Sequence, residues 1–182
     1  TATLCLTITV LFGSVGVSLS ADFEKGHAAY KSGDYANALR EWEPLAELGD
    51  AKSQYWLGVL YETRQDYARS LKWYTLAANK GYASASYNLG HSYQYGSGRR
   101  QNYEKALKWF TLAAEQGNVD AQRILGGWFS TGRYRTCEWK KSACFMFVRS
   151  ALQDPKEALK WYGLAAEQDD VNAQYNLGLI YE

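Results

Sequence analysis

The sequence predicts an all-α fold, a right-handed α-solenoid of helix-turn-helix repeats. Three observations lead there. One peptide recurs almost unchanged as LKWYTLAANK at 71–80, LKWFTLAAEQ at 107–116 and LKWYGLAAEQ at 159–168. A Leu-Gly pair recurs at Leu57-Gly58, Leu89-Gly90, Leu125-Gly126 and Leu177-Gly178, followed by an aromatic residue at Tyr61, Tyr93, Phe129 and Tyr181. These pairs lie 32, 36 and 52 residues apart, which defines a unit near 36, once shortened and once extended by an insertion.

The N-terminal stretch has a different character. Thr1 to Ser20 carries no charge, and Leu4 to Leu19 is apolar apart from small and hydroxyl residues. It reads as a secretory leader over 1–21, without a basic n-region, cleaved after Ser20 or Ala21. The expected location is periplasmic or secreted. An uncleaved leader acting as a membrane anchor is the alternative, since about 20 apolar residues suffice to span a bilayer.

The repeat domain occupies 22–182, divided as 22–50, 51–82, 83–118, 119–170 with an insertion at 134–152, and a shortened unit at 171–182. Each full unit holds two helical patterns. In helix A, Ser53, Leu57 and Tyr61 fall on one stripe, and Gly58 beside them lets a neighbouring helix approach closely. In helix B, Asp66, Asn102 and Asp154 suit the N-cap and Pro155 suits the first helical position. Ala106, Trp109, Phe110, Ala113 and Ala114 form the buried stripe of helix B, and Trp73 and Trp161 at matching places are read as core. Gly81 and Gly117 end the B helices in the left-handed conformation, a place taken by Asp169 in the last full unit.

These motifs resemble the Sel-one-like repeat family, a branch of the tetratricopeptide-like superfamily. Its pattern runs from an Ala-x-Ala-Gln-x-x-Leu-Gly-x-x-Tyr helix through a Gly-x-Gly loop to an Asp-x-x-x-Ala-x-x-Trp-Tyr-x-x-Ala-Ala-x-x-Gly helix. Residues 83–118 meet it almost fully, with Gly96-Ser97-Gly98 as the loop. Residues 51–82 lack that loop and turn at Thr63-Arg64-Gln65, while 22–50 resemble a tetratricopeptide unit through Gly33-Asp34-Tyr35, Ala38 and Trp42. The resemblance implies that the A helices line a concave groove. Carried across by position, Phe23, Tyr55, Tyr87, Arg123 and Tyr175 form a ladder in it, with His27, Val59, His91, Gly127 and Leu179 one turn further on. Tyr55, Tyr87, His91, Arg123 and Tyr175 are the candidate partner-binding residues, because Tyr and Arg combine contact area with hydrogen-bonding tips. Packing of the same rings against neighbouring A helices is the competing reading.

The insertion between Arg133 and Gln153 repeats nothing. It carries Arg135, Lys140, Lys141 and Arg149 against Glu138, then the apolar run Cys144-Phe145-Met146-Phe147-Val148. It reads either as a recognition loop or, preferentially, as a spacer or foreign segment. Cys137 and Cys144 are the cysteines that remain after leader removal, and bonding them to each other would require a non-helical hairpin.

The sequence argues against several functions. A formal charge of +1 over 182 residues creates no field for nucleic acid or acidic lipid. Two histidines on different repeats and no Cys-x-x-Cys make no metal set, and no cofactor motif appears. Ser-x-x-Lys, Lys-Thr-Gly and Gly-x-Ser-x-Gly are absent. The expected function is a non-catalytic scaffold, adaptor or regulator of the cell envelope that holds a protein or peptide in its groove. The alternative is a peptidoglycan binder or a β-lactamase-like hydrolase, the label carried by cysteine-rich relatives.

Overall fold

A computed structural model describes residues 21–136, 146–149 and 153–181, with backbone alone for 133–136 and 146–149. Helices α1 (Phe23–Lys31) and α2 (Tyr35–Glu47) form the first pair, followed by α3 (Ala51–Thr63) with α4 (Tyr67–Asn79) and α5 (Ala83–Tyr95) with α6 (Tyr103–Glu115). The next pair is α7 (Val119–Thr131) with α8 (Pro155–Ala166), and α9 (Val171–Tyr181) follows. Each helix packs mainly on its predecessor and successor in the chain, so the pairs stack into an all-α solenoid.

Local chemistry sets the helix starts. Asp66, Asn102 and Asp154 accept hydrogen bonds from the backbone N–H of Arg69, Lys105 and of Lys156 with Glu157, respectively. Each thereby satisfies donors that the first helical turn leaves open. At the B-helix ends Gly81 and Gly117 have φ of 83° and 87°, and Asp169 adopts the same left-handed region at 63° despite its side chain.

Two repeated contacts build the core. In the first, the helix A glycine lies under a ring of helix B: Gly26 under Trp42, Gly58 under Tyr74, Gly90 under Phe110 and Gly126 under Tyr162. A Cβ at any of the four would fall 2.4–2.7 Å from the nearest ring atom. Only a residue without a side chain admits that approach. In the second, a helix A glutamine bonds an alanine carbonyl near the C-terminal end of the preceding B helix. Gln54 Nε2 donates to the Ala46 carbonyl at 2.9 Å, Gln122 to Ala114 at 3.0 Å and Gln174 to Ala166 at 3.3 Å. In α5 the residue at this place is Ser86, whose hydroxyl lies 3.4 Å from Gln116 Oε1.

The tryptophans differ in part from the sequence expectation. Trp161 is buried, whereas Trp73 and Trp109 are half-buried, and the fully enclosed rings of α4 and α6 are their neighbours Tyr74 and Phe110. Trp73, Trp109 and Trp161 pack against the core cluster that the preceding B helix shares with their own A helix, while Tyr74, Phe110 and Tyr162 lie over the glycines of that A helix. Consecutive residues on a helix point about 100° apart, so a Trp-aromatic pair can face two cores at once.

The insertion departs from the helical pattern. Gly132 ends α7 with φ of 60°, and β1 (Arg133–Thr136) then pairs antiparallel with β2 (Met146–Arg149), Arg133 opposite Arg149 and Thr136 opposite Met146. Aromatic and β-branched residues favour this ribbon over another helical turn. Beyond it, the Asp154 N–H bonds the Phe129 carbonyl at 3.0 Å, so α8 starts beside the end of α7 despite the extra chain. Cys137 and Cys144 lie outside the described residues, as do Thr1 to Ser20.

Candidate functional site

Successive A helices lie side by side, and between α5, α7 and α9 they leave an open cleft of about 640 Å³. Its walls are Tyr87, His91, Gln94 and Tyr95 of α5, Arg123, Ile124, Gly127 and Trp128 of α7, and Asn172 and Asn176 of α9, with Tyr162 of α8 beneath. On α5 the spacing 87, 91, 94, 95 marks one face of a helix, and 123, 124, 127, 128 does the same on α7.

The α5 wall is a connected set of rings. His91 meets Tyr87 edge-on with centroids 4.6 Å apart and stacks on Tyr95 at 5.4 Å with planes 16° apart. Phe110 supports both Tyr87 and His91 from the core side, at 5.8 Å and 5.4 Å. Burial pushes the Tyr87 phenol up from its usual range and the His91 imidazole down, so His91 is neutral at pH 7. Asp120 opposes the shift at His91 in part.

The α7 wall is charged. Arg123 Nη2 bonds Asp120 Oδ1 at 2.5 Å, and its Nε lies 3.5 Å from Asp170 Oδ2. Asp170 also caps α9 by accepting from the Ala173 N–H at 2.7 Å. Arg123 therefore joins α7 to the start of α9. Among the described residues, three buried polar atoms of the cleft have no hydrogen-bond partner: His91 Nε2, Gln94 Oε1 and Arg123 Nε, the last lying at ion-pair distance from Asp170. No group of three or more His, Cys, Asp or Glu residues that could hold a metal occurs among the described residues.

Three of the five residues expected in the groove, Tyr87, His91 and Arg123, meet in this cleft. Tyr55 lies one repeat earlier, half-buried, with its ring 4.9 Å from Tyr82 and 5.8 Å from Tyr74. Tyr175 is 67% exposed, and on α9 it is Asn172 and Asn176 that line the cleft. Equivalence by sequence position thus breaks at the last helix. Gln94, Tyr95, Ile124, Trp128 and Tyr162 also line the cleft and were not expected; the i+4, i+7 and i+8 stripe from Tyr87 was the signal for Gln94 and Tyr95.

The repeated glycine-under-ring contact and the glutamine bond to the preceding repeat come with motif matches in the same places. The family described as Sel1 repeat matches residues 83–118, 149–170 and 171–182, and the family described as tetratricopeptide repeat matches 23–88. The chain carries Sel1-like repeats. Sel1-like repeat proteins generally act as protein-interaction scaffolds, and their fold is typically non-catalytic. Among solved structures, this Sel1-like repeat chain is similar to a Sel1 repeat protein from Oxalobacter formigenes, with 29% identity and a TM-score of 0.72, over 89% of this chain and 60% of that one. It is also similar to a protective antigen present in uropathogenic Escherichia coli strains, with 28% identity and a TM-score of 0.67, over 87% and 32% of the two chains. An immunity protein from Pseudomonas aeruginosa shares 26% identity, with a TM-score of 0.52 over 73% and 46%. The chain thus spans less than two thirds of the length of each of these proteins. No curated protein matches it.

Proposed function

We propose that this chain is a non-catalytic scaffold of the cell envelope that holds a segment of a partner protein in the cleft between α5, α7 and α9. The observation that carries the reading is the convergence of three successive A helices on one open cleft, walled by aromatic rings and amides. Rings with polar edges and amide side chains suit the alternating apolar and hydrogen-bonding surface of a polypeptide. The uncharged, apolar stretch from Thr1 to Ser20 supports export to the periplasm or beyond.

Two experiments test this. Capture of partners from native envelope extract should be strong with the wild-type chain and weakened by Tyr95→Ala or Asn172→Ala. Both side chains are exposed, so their loss leaves the core intact. Truncating a central contact lowers affinity by about 1–3 kcal/mol. Properly folded variants that retain the same partners at the same strength would refute the cleft assignment. For export, the chain with its leader should appear in the periplasm or medium as a species shortened by the leader.

A further inference from the structure

The chain carries a net charge of only +1, but that charge is not spread evenly. The connector from α5 to α6, with the first turn of α6, forms an open pocket of about 380 Å³ whose charged lining residues are Arg99, Arg100 and Lys105. Among the described residues no Asp or Glu lines it. None of the three cations has an ion-pair partner among the described residues either. Asp66, at the start of the neighbouring α4, is engaged with Arg69 at 2.6 Å, and Glu104 of α6 lies outside the lining. Two of the cations meet at one ring, which also lines the pocket: Arg99 Cζ lies 4.0 Å and Lys105 Nζ 5.4 Å from the centroid of Tyr93. Arg99 Nε is buried and has no acceptor, so its charge is offset neither by a carboxylate nor by a hydrogen bond at that atom. Like charges gathered at one ring repel, and the ring face compensates only part of that. The backbone nevertheless fixes the arrangement. Gly98 packs on Tyr67 with no room for a Cβ, the Arg99 N–H bonds the Gly96 carbonyl at 3.3 Å, and the Asn102 N–H bonds the Tyr93 carbonyl at 2.9 Å. Asn102 in turn caps α6, so the pocket lies at the positive end of that helix.

We infer that this pocket binds a phosphoryl group, at a site that shares no residue with the cleft between α5, α7 and α9. Three cations on one small pocket match one compact anion of two or more charges. A lone carboxylate would leave most of the charge uncompensated, and an extended acidic segment would need its cations set in a row along a groove. Two guanidinium forks and an ammonium supply the donors that tetrahedral phosphoryl oxygens accept, and the α6 terminus adds to the attraction.

The test titrates the whole chain with inorganic phosphate, glycerol phosphate, acetate and a capped triglutamate peptide at matched ionic strength, read by NMR shifts of the backbone amides of residues 98–106. Phosphate or glycerol phosphate is expected to shift these amides saturably, with an affinity at least about 10-fold above that of acetate, while residues 120–128 of the cleft stay unmoved. The tighter of the two phosphates tells whether the group is taken free or as an ester. Arg100 and Lys105 are exposed, so Arg100→Gln and Lys105→Gln should each reduce phosphate affinity about 5-fold or more while leaving the melting temperature of the free chain close to wild type. Arg100→Lys, which keeps the charge and loses the fork, should restore part of the binding. Phosphate binding no tighter than acetate, or unchanged by both glutamine variants, overturns the phosphoryl assignment. Triglutamate binding at these amides more tightly than either phosphate overturns it in favour of an acidic peptide. Neither result bears on the cleft, which capture with Tyr95→Ala and Asn172→Ala decides separately.

Discussion

Gly58→Ala should destabilise the chain although alanine is the better helix former. An ideal Cβ there lies 2.4 Å from Tyr74 Cδ1 and 2.5 Å from Cε1, where carbon atoms need about 3.5–4.0 Å. The ring must therefore retreat by about 1 Å. It has little room to do so, being fully buried with its hydroxyl donating to Glu62 Oε2 at 2.6 Å. Overpacking of this kind costs about 1–3 kcal/mol, and weakening a bond to a charged acceptor adds up to about 1.5–3 kcal/mol. The helix-propensity gain returns about 1 kcal/mol, leaving a net loss near 2 kcal/mol. Gly163 in α8 is the control, because a Cβ there meets nothing within 4 Å. Gly163→Ala should raise stability by up to about 1 kcal/mol. Urea unfolding of both variants measures the difference. In a Tyr74→Leu background, Gly58→Ala should cost much less, since the obstructing ring has gone. A Gly58→Ala chain as stable as wild type would refute the close-packing argument for all four glycine positions.

Gln122→Ala should lower stability by about 0.5–1.5 kcal/mol, because the Ala114 carbonyl loses one of its two donors and keeps the Gly117 N–H at 3.0 Å; chemical denaturation checks it, and an effect near zero would show the bond to be dispensable. Asp169→Gly should raise stability by about 0.5–1 kcal/mol, since the residue already adopts a left-handed φ of 63°; a drop in melting temperature would count against that backbone assignment. Burial holds the folded-state pKa of His91 below the usual 6.5, so the unfolded chain takes up the proton first as pH falls. The His91 contribution is complete above about pH 6.5, declines as pH drops from there through the folded pKa, and is constant below it. Melting curves of wild type and His91→Gln over that window should diverge, and parallel curves would reject the assignment.

Much of the fold was legible in the chain. The recurrence of LKW-aromatic-x-LAA and Leu-Gly-x-x-aromatic marks helices whose neighbours must be copies of one another, and Asp66, Asn102 and Asp154 announce their helix starts through bonds to backbone a few residues away. The residue that each repeated contact needs is local as well: a glycine where a ring approaches and a glutamine where a carbonyl is buried. Gly26 carried the same information as Gly58, but its surroundings in the first unit are too divergent for the repeat to reveal it.

The sequence by itself determined what each repeat is, because capping, helical periodicity and the glycine-ring contact involve residues within one unit or the next. Only the tertiary structure decided which side chains share the cleft. Position-by-position alignment treats all A helices as superimposable, whereas stacking accumulates a rotation from repeat to repeat. The cleft takes a particular flank of each helix, with Asn172 and Asn176 of α9 in the wall, while Tyr175 stays at the surface and Tyr55 packs in a seam. The same stacking brings Arg123 and Asp120 of α7 beside Asp170, which caps α9.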